Sequence, residues 1–543
     1  MVFARRSTTL LAAIIASCAM VLSLTACTSD NKTVVDGQTT VTSNSAGGVA
    51  VFTPSDGITL NQQMPLNKWA KLVPDLTKAL VDAGFKKGDI NHTTSDSLDK
   101  QSRAIQDFVV DHLSNNTTDD SGIAIAPDNM TLLVAPVVEA DASTRQYGDY
   151  VSQNLSTNDV TDEGATSDGE SSEDDSSKDD SSNTESDSTA SDEQAQAVDR
   201  LVSSLKLAKE SGMHVVLLGN SIEGYKPDAF VKFSDAQTIG KLQAEKMVSK
   251  LKLDKASKDN PKYIEVLLPY TAVDEKGNAN DSTFAQEAFR GIWQVLGSYY
   301  QKGVVESPSG TLDGKSTEND WQAVAYDAAK EGSTAKVLDK RLAKTDGQST
   351  LTRIDGIITM NDYIASEVVK ELDDLGYTGS AADINPQITI SGIVGNITGK
   401  KDLSRDAVPD PIKSPENDNA NDSSSSDDDA DKDTSASDKD RDSQWPLVTG
   451  YGAYVSNIPS IVNGKQWMTG MEDRQTIATD IAQACAKLNK DEALNSMPSI
   501  RNSEVGGVKK IPTINEPLLA VSAGNLKSAL IDPGYISLAD AGL

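Results

Sequence analysis

The sequence predicts an α/β protein of two lobes, each a parallel sheet with helices on both faces. Short apolar runs that fit buried strands alternate with amphipathic helical runs along most of the 543 residues. The stretch 214–251, HVVLLGNSIEGYKPDAFVKFSDAQTIGKLQAEKMVSKL, then strings together a strand (214–218), a polar loop (Gly219, Asn220, Ser221), a short strand (229–233) and a new helix from Ser234. Such a unit can carry the chain from one lobe to another, with a ligand held outside the carboxyl ends of the strands.

Residues 1–26 read as a secretory signal, with Arg5 and Arg6 ahead of the apolar run 10–24. The run closes on Leu24-Thr25-Ala26-Cys27, which resembles the bacterial lipobox. That resemblance implies cleavage before Cys27 and a lipid on its sulfur, the thiolate being a strong nucleophile. Residues 27–48 are polar and read as a flexible tether. No other apolar run reaches the roughly 18 residues of a membrane span. Once Cys18 is removed and Cys27 modified, Cys485 is the free thiol. It shares helical spacing with Ile477, Ile481 and Leu488, so it reads as core.

The rest follows in order. Residues 49–53 form a strand, and Leu66, Trp69, Leu72, Leu76, Leu80 and Ala83 mark a helix that Pro74 should kink. Next come a strand at 88–93, a helix at 97–113 and a strand at 130–136. Residues 147–155 open a helix that an acidic tract interrupts and 195–210 resumes. Beyond the stretch 214–251 the expected elements are strands at 263–269, 354–360, 387–394 and 447–450. Helices are expected at 283–296, 321–330, from Ile364 to Leu375, at 455–462 and at 473–488.

The formal charge of −31 is concentrated in two tracts. Residues 159–193 hold fourteen acidic residues against one Lys, and 416–442 hold eleven against three basic ones, so the two account for −21. Almost nothing in them can bury a core, and both read as disordered inserts, 157–194 and 414–444. The charge argues against nucleic acid as a partner.

The stretch around 233–251 resembles the first hinge of type I periplasmic sugar-binding proteins of the xylose and ribose type. The matching residues are Phe233 and Asp235, then Gly240, Leu242, Gln243, Ala244, Val248 and Leu251 of the pattern GxLQAxxxVxxL; Ser234 between the first two is a departure. Gly464, Gln466 and Thr469 resemble the family's Gly-x-Gln-x-x-Thr before its second crossover. Ile531, Gly534 and Tyr535 resemble its C-terminal Ile-x-x-Gly-Tyr. The resemblance covers 49–543 without the acidic tracts. It implies the type I periplasmic binding protein fold: two Rossmann-like lobes joined by a three-crossover hinge that closes on a ligand. The implied lobes are 49–230 with 468–517, and 231–467 with 518–543.

The resemblance also supplies candidate ligand contacts. Asn361-Asp362 ends a strand where the family has an Asp that accepts from sugar hydroxyls, a role suited to two carboxylate oxygens; a helix N-cap explains the same pair. Asn220 and Ser221 stand where the family has Asp-Arg, and an exposed turn is their other reading. Gln63 and Trp69 lie around the start of the first helix, Trp69 also fitting its buried face. Asn280 and Asp281 precede a helix and can cap it. Tyr451 and Gly452 replace a Gln-Asp pair, and Met471 and Glu472 replace Tyr-Lys. His92, His112 and His214 lack metal-ligand spacing, no catalytic constellation stands out, and no cofactor or metal is expected.

The expected function is that of an extracytoplasmic solute-binding lipoprotein, a monomer and not an enzyme. It would be anchored on the outer face of the cytoplasmic membrane and deliver a sugar or similar neutral polyol to the permease subunits of an ABC importer. The alternatives are a ligand-responsive sensor lipoprotein and an exported enzyme or surface structural lipoprotein.

Overall fold

Two sheets of mainly parallel strands carry the chain, which passes between them three times. The computed structural model describes residues 32–35, 38–41, 46–55, 65–115, 126–138, 144–156, 185–273, 280–343, 350–382 and 443–543. The signal segment, Cys27, Gln63, the strand expected at 387–394 and most of both acidic tracts lie outside the described residues.

A hairpin of β1 (Lys32–Val35) and β2 (Gln38–Val41) forms a small unit of its own, with Lys32 opposite Val41. The segment 27–48, read as a flexible tether, thus contains a hairpin. Val and Thr favour strands, and Asp36-Gly37 between the two runs is a strong hairpin signal.

The main body opens with β3 (Gly48–Pro54), α1 (Trp69–Asp82), β4 (Ile90–Ser95), α2 (Leu98–Asn115) and β5 (Met130–Val134). It continues with β6 (Asn154–Leu155), α3 (Glu185–Glu210), β7 (His214–Leu218), β8 (Ser221–Ile222), β9 (Ala229–Lys232) and α4 (Ala236–Leu251). Then come β10 (Lys262–Val266), β11 (Leu268–Pro269), α5 (Thr283–Gln301), β12 (Val305–Glu306), β13 (Ala325–Tyr326), α6 (Ser333–Arg341), β14 (Gly356–Ile358) and α7 (Asp362–Leu375). The last part holds β15 (Leu447–Thr449), α8 (Ile458–Val462), β16 (Met468–Met471), α9 (Arg474–Leu488), β17 (Ile500–Val505), β18 (Val508–Asn515) and β19 (Leu519–Ser522).

The larger sheet has the order β17-β18-β9-β7-β5-β3-β4, parallel except for the edge strand β17. Its inner strands β3, β5, β7 and β9 are near-continuously apolar and buried from both sides. Trp69, Leu72 and Leu76 of α1 pack on one face with Ile477, Ile481 and Cys485 of α9. Leu98, Ile105 and Val109 of α2 pack on the other with Leu201 and Leu205 of α3. The second sheet, β12-β10-β14-β15, is wholly parallel. One face takes α4 and α5, the other α6 and α7.

α4 and α5 approach closely at two glycines. A Cβ on Gly240 would stand 2.2 Å from the Ala288 carbonyl oxygen, and one on Gly291 2.0 Å from that of Gln237. The glycine of the Gly-x-Leu-Gln-Ala pattern is therefore a helix-crossing point.

The chain leaves the larger sheet after β9 and enters α4 through Ser234 and Asp235. It returns from β16 to α9 through Glu472 and Asp473, and crosses again from β18 to β19. The side chain of Asp235 accepts from Thr238 N, which starts α4, and Asp473 caps α9 in the same way. β16 and β19 pair antiparallel, and Tyr451 bridges to Gly470 beside them. The α/β class and the three passages agree with the sequence reading.

Several expectations need correction. Residues 147–155 are not a helix: Gly148 lies at φ +94, Val151 bridges to Ser234, and β6 pairs with β8. Residues 321–330 hold a single 3-10 turn, Trp321–Ala323, because β13 is drawn into pairing with β11. The helix comes later, as α6. α3 begins at Glu185, so the last ten residues of the insert read as 157–194 are helical; acidic residues suit a helix N-terminus. Gln444, at the end of the second insert, bridges to Thr378. The edge strand β17 was not foreseen.

Candidate functional site

The carboxyl ends of β5, β7, β14 and β15, with the passages between the sheets, hold most of the expected contacts. At β5, Gln101 of α2 donates Nε2 to Ala135 O at 2.8 Å and accepts from Val137 N at 2.9 Å. At β7, Asn220 is 3% exposed; its Nδ2 donates to Pro136 O at 2.9 Å and its Oδ1 accepts from Gln153 N at 3.0 Å. Ser221 Oγ donates to Asn154 Oδ1 at 2.8 Å. Asn220 and Ser221 thus tie neighbouring loops together.

At the end of β14 the chain turns through Met360, a non-glycine residue at φ +68. Gln243 of the Leu-Gln-Ala pattern holds this turn, donating to Met360 O at 2.9 Å and accepting from Thr449 Oγ1 at 2.6 Å. Asn361 Oδ1 accepts from Ile364 N at 2.9 Å and so caps α7. Its Nδ2 donates to Gln146 Oε1 at 3.1 Å, from the stretch that follows β5.

Asp362 is 0% exposed. Its Oδ1 accepts from Gln466 Nε2 at 2.7 Å, and its Oδ2 from Thr469 Oγ1 and Tyr454 N, both at 2.9 Å. Asn457 Nδ2 donates to its carbonyl oxygen at 2.7 Å. Burial pushes the carboxyl up to about 6 against the pull of these donors. Gln466 and Thr469, two members of the Gly-x-Gln-x-x-Thr pattern, are therefore the side-chain donors of this carboxylate. Sequence spacing gave no sign of that pairing.

Residues 144–153 lie between the sheets, against the ends of both. Tyr454 OH donates to Gln146 O at 2.7 Å. Tyr147 is buried against Phe284 and Tyr451, with ring centroids 4.7 and 6.3 Å away. Lys68 Nζ and Trp69 N both reach the Asp149 carboxylate, at 2.7 and 3.0 Å. Trp69 is buried in a cluster with Tyr150 and Phe233, at 5.1 and 5.6 Å. Its ring is core, and Tyr150 OH donates to Lys68 O at 2.5 Å.

Asn280 donates Nδ2 to Thr271 O at 2.9 Å, and Asp281 accepts from Thr283 N at 2.9 Å. Both hold the loop before α5. Tyr451 is buried, and its hydroxyl meets Ser234 Oγ at 2.6 Å and donates to Glu472. Burial, with Glu472 beside it, drives the Tyr451 phenol well above its ordinary value.

The structure thus gathers Asn361, Tyr451, Trp69 and Asn220 around the segment 144–153, while Asp362 is tied to the strand-end loop and β16, and Ser221, Asn280 and Asp281 serve the loops beside it. The sequence reading missed Gln146, Tyr147, Tyr150 and Tyr454. Their only signal was aromatic and amide residues next to strand ends. Chemically the gathering offers amides, hydroxyls and aromatic faces, a set that suits uncharged hydroxylated molecules. Lys68 and Arg474 at its border are paired with Asp149 and Asp75. Among the described residues no group of His, Cys, Asp and Glu could hold a metal ion.

No family model and no curated protein matches the chain. Among solved structures, an ABC transporter solute binding protein from Clostridium phytofermentans with bound β-D-glucose is 17% identical. The match covers 91% of this chain and 99% of that one, with a TM-score of 0.45. A carbohydrate transporter solute binding protein from Chloroflexus aurantiacus in complex with D-glucose is 18% identical, covering 92% and 98% with a TM-score of 0.43. A periplasmic ribose ABC transporter from Conexibacter woesei DSM 14684 is 12% identical, covering 90% and 96% with a TM-score of 0.42.

Proposed function

We propose that this chain is an extracytoplasmic solute-binding lipoprotein that takes up a neutral polyol, a sugar or a related ring, between its two sheets and passes it to an ABC importer. One observation carries the reading: three passages join two parallel sheets whose strand ends meet over a shared set of amides, hydroxyls and aromatic rings. Ligands in parallel α/β sheets collect at such ends. Admitting a solute exchanges bonds such as Asn361 to Gln146 and Tyr454 to Gln146 for bonds to its hydroxyls. Asp362, saturated by its own chain, then acts as a support of the site rather than as a contact. Delivery to a permease and the anchor at Cys27 follow from the lipobox and hinge resemblances.

The same observation favours a second reading. Because residues 144–153 already occupy the space between the strand ends, a sensor or structural lipoprotein that binds no sugar also fits. A thermal-shift panel on the mature chain without its lipid separates them, using D-glucose, D-ribose, D-allose and myo-inositol beside amines and organic acids. A ligand that binds only the folded state raises the melting temperature. A rise with a neutral polyol supports the importer subunit. A response only to an amine or an organic acid favours the sensor, and no response across the panel leaves the structural role.

A further inference from the structure

Glu472 sits in the second passage, between β16 and α9, and is 1% exposed. Its Oε1 takes hydrogen bonds from Ser234 Oγ, in the first passage, and from Tyr451 OH, at the end of β15. Among the described residues its Oε2 is buried without a partner. One side chain thus ties the two passages to the strand-end loop, and half of its carboxyl group faces protein with nothing to bond.

Among the described residues no neighbouring element supplies a counter-charge. In the first passage Asp235 is paired with Lys232. On the second, Asp473 caps α9 and accepts from Tyr535 OH, while Arg474 is bound to Asp75 and to Leu66 O. From the strand-end loop the facing groups are the phenols of Tyr451 and Tyr454. From 144–153 they are those of Tyr147 and Tyr150, with Asp149 held by Lys68. In the third passage burial and the facing carboxyl of Asp480 on α9 hold the Glu516 carboxyl above its ordinary range, with the Arg501 charge pulling the other way. A carboxylate buried without a cation and with one bare oxygen is costly, whereas the neutral acid is tolerated. Burial accordingly raises the Glu472 carboxyl above its ordinary range, with Ser234 and Tyr451 pulling the other way.

We propose that Glu472 is a proton-loaded tie between the first and second passages: neutral while Ser234 and Tyr451 are seated on it, and ionised when the two sheets shift and water reaches it. This rests on the reading that the sheets move relative to each other. Seating the tie takes up one proton from solvent, and unseating returns it. The seated arrangement is therefore fully favoured below the ordinary glutamate range. It weakens as pH rises from there until it passes the raised value, by up to about tenfold in the opening equilibrium per pH unit.

The test is hydrogen exchange on the full mature chain at pH 5 and pH 8, corrected for intrinsic exchange, with no solute present. Amides of 233–236 and 470–473 should lose protection at pH 8, by up to about tenfold for each pH unit that separates the ordinary from the raised value. Glu472→Gln, which cannot ionise, should keep the same protection at both pH values. Tyr451→Phe, which removes one donor to the carboxylate, should extend the pH-dependent fall to higher pH, and it serves if the Gln variant does not fold. Equal pH dependence in wild type and Glu472→Gln, or none in wild type, overturns the proposal. No solute enters the measurement, so a chain that fails the polyol panel can still pass it, and one that binds a polyol can still fail it.

Discussion

Gln466 and Asp362 lie 104 residues apart and meet at 2.7 Å, the amide of one closing on the carboxylate of the other. Gln466 Oε1 in turn accepts from Asn457 Nδ2 at 2.8 Å, the same nitrogen that reaches the Asp362 carbonyl. The net joins the start of α7 to the loop after β15 and to the entry of β16. Gly450 is part of it: a Cβ there would stand 2.2 Å from Asp362 Oδ1.

Asp362→Ala should therefore unfold the protein more readily rather than weaken a ligand contact alone. It strands Gln466 Nε2, Thr469 Oγ1 and Tyr454 N in a buried site. At about 1–3 kcal/mol for each unsatisfied group, the loss should reach about 3 kcal/mol or more. Denaturant melts measure it. A variant with wild-type stability and reduced solute affinity would return Asp362 to the role of a ligand contact.

The pH dependence of the same residue has a definite sign. Its carboxyl lies at about 6 in the fold against 3.8 ordinarily, so the native state holds the proton longer than the unfolded chain. Its contribution is most favourable below about pH 4 and declines as pH rises through about 6. By pH 7 it has lost on the order of 3 kcal/mol. Melts of wild type and Asp362→Asn at pH 5 and pH 7.5 isolate the group. The stability difference, wild type minus variant, should be larger at pH 5. A larger difference at pH 7.5 contradicts the assignment.

Gly291→Ala tests the crossing of α4 and α5. Helix propensity alone favours Ala by about 1 kcal/mol. The new methyl would meet the Gln237 carbonyl at 2.0 Å, and the helices must part. Overpacking of this kind costs about 1–3 kcal/mol, so the melting temperature should fall. A rise would mean that the two helices separate at little cost.

The alternation of strands and helices, the cap Asn361 and the passages were readable because they are local: a period, a cap residue or a short motif fixes each. Residues 147–155 carried a helical start, yet pairing with Ser221, Ile222 and Ser234 decided their course. The run from Trp321 lost its helix to a two-residue pairing with Leu268 and Pro269. The role of Asp362 was hidden for the same reason, since its donors come from Gln466, Thr469 and the backbone of Tyr454. A motif such as Gly-x-Gln-x-x-Thr marks where these donors are but not what they hold. The hairpin at 32–41 was legible in Asp36-Gly37 and its β-branched neighbours, and was overlooked because the segment is polar.

The three passages also set the order in which the molecule can be finished as the chain emerges. β18 pairs with β9 in the interior of the larger sheet, and β17 closes that sheet's edge. Until Asn515 has emerged, β9 stands as a bare edge, open to pairing with other chains. α9, which covers one face of that sheet, is also made late. The amino-terminal half therefore cannot settle as a unit ahead of the rest, as a contiguous domain would. A nascent chain stopped between α4 and β17 would carry an incomplete sheet, and chaperone demand should peak over that span.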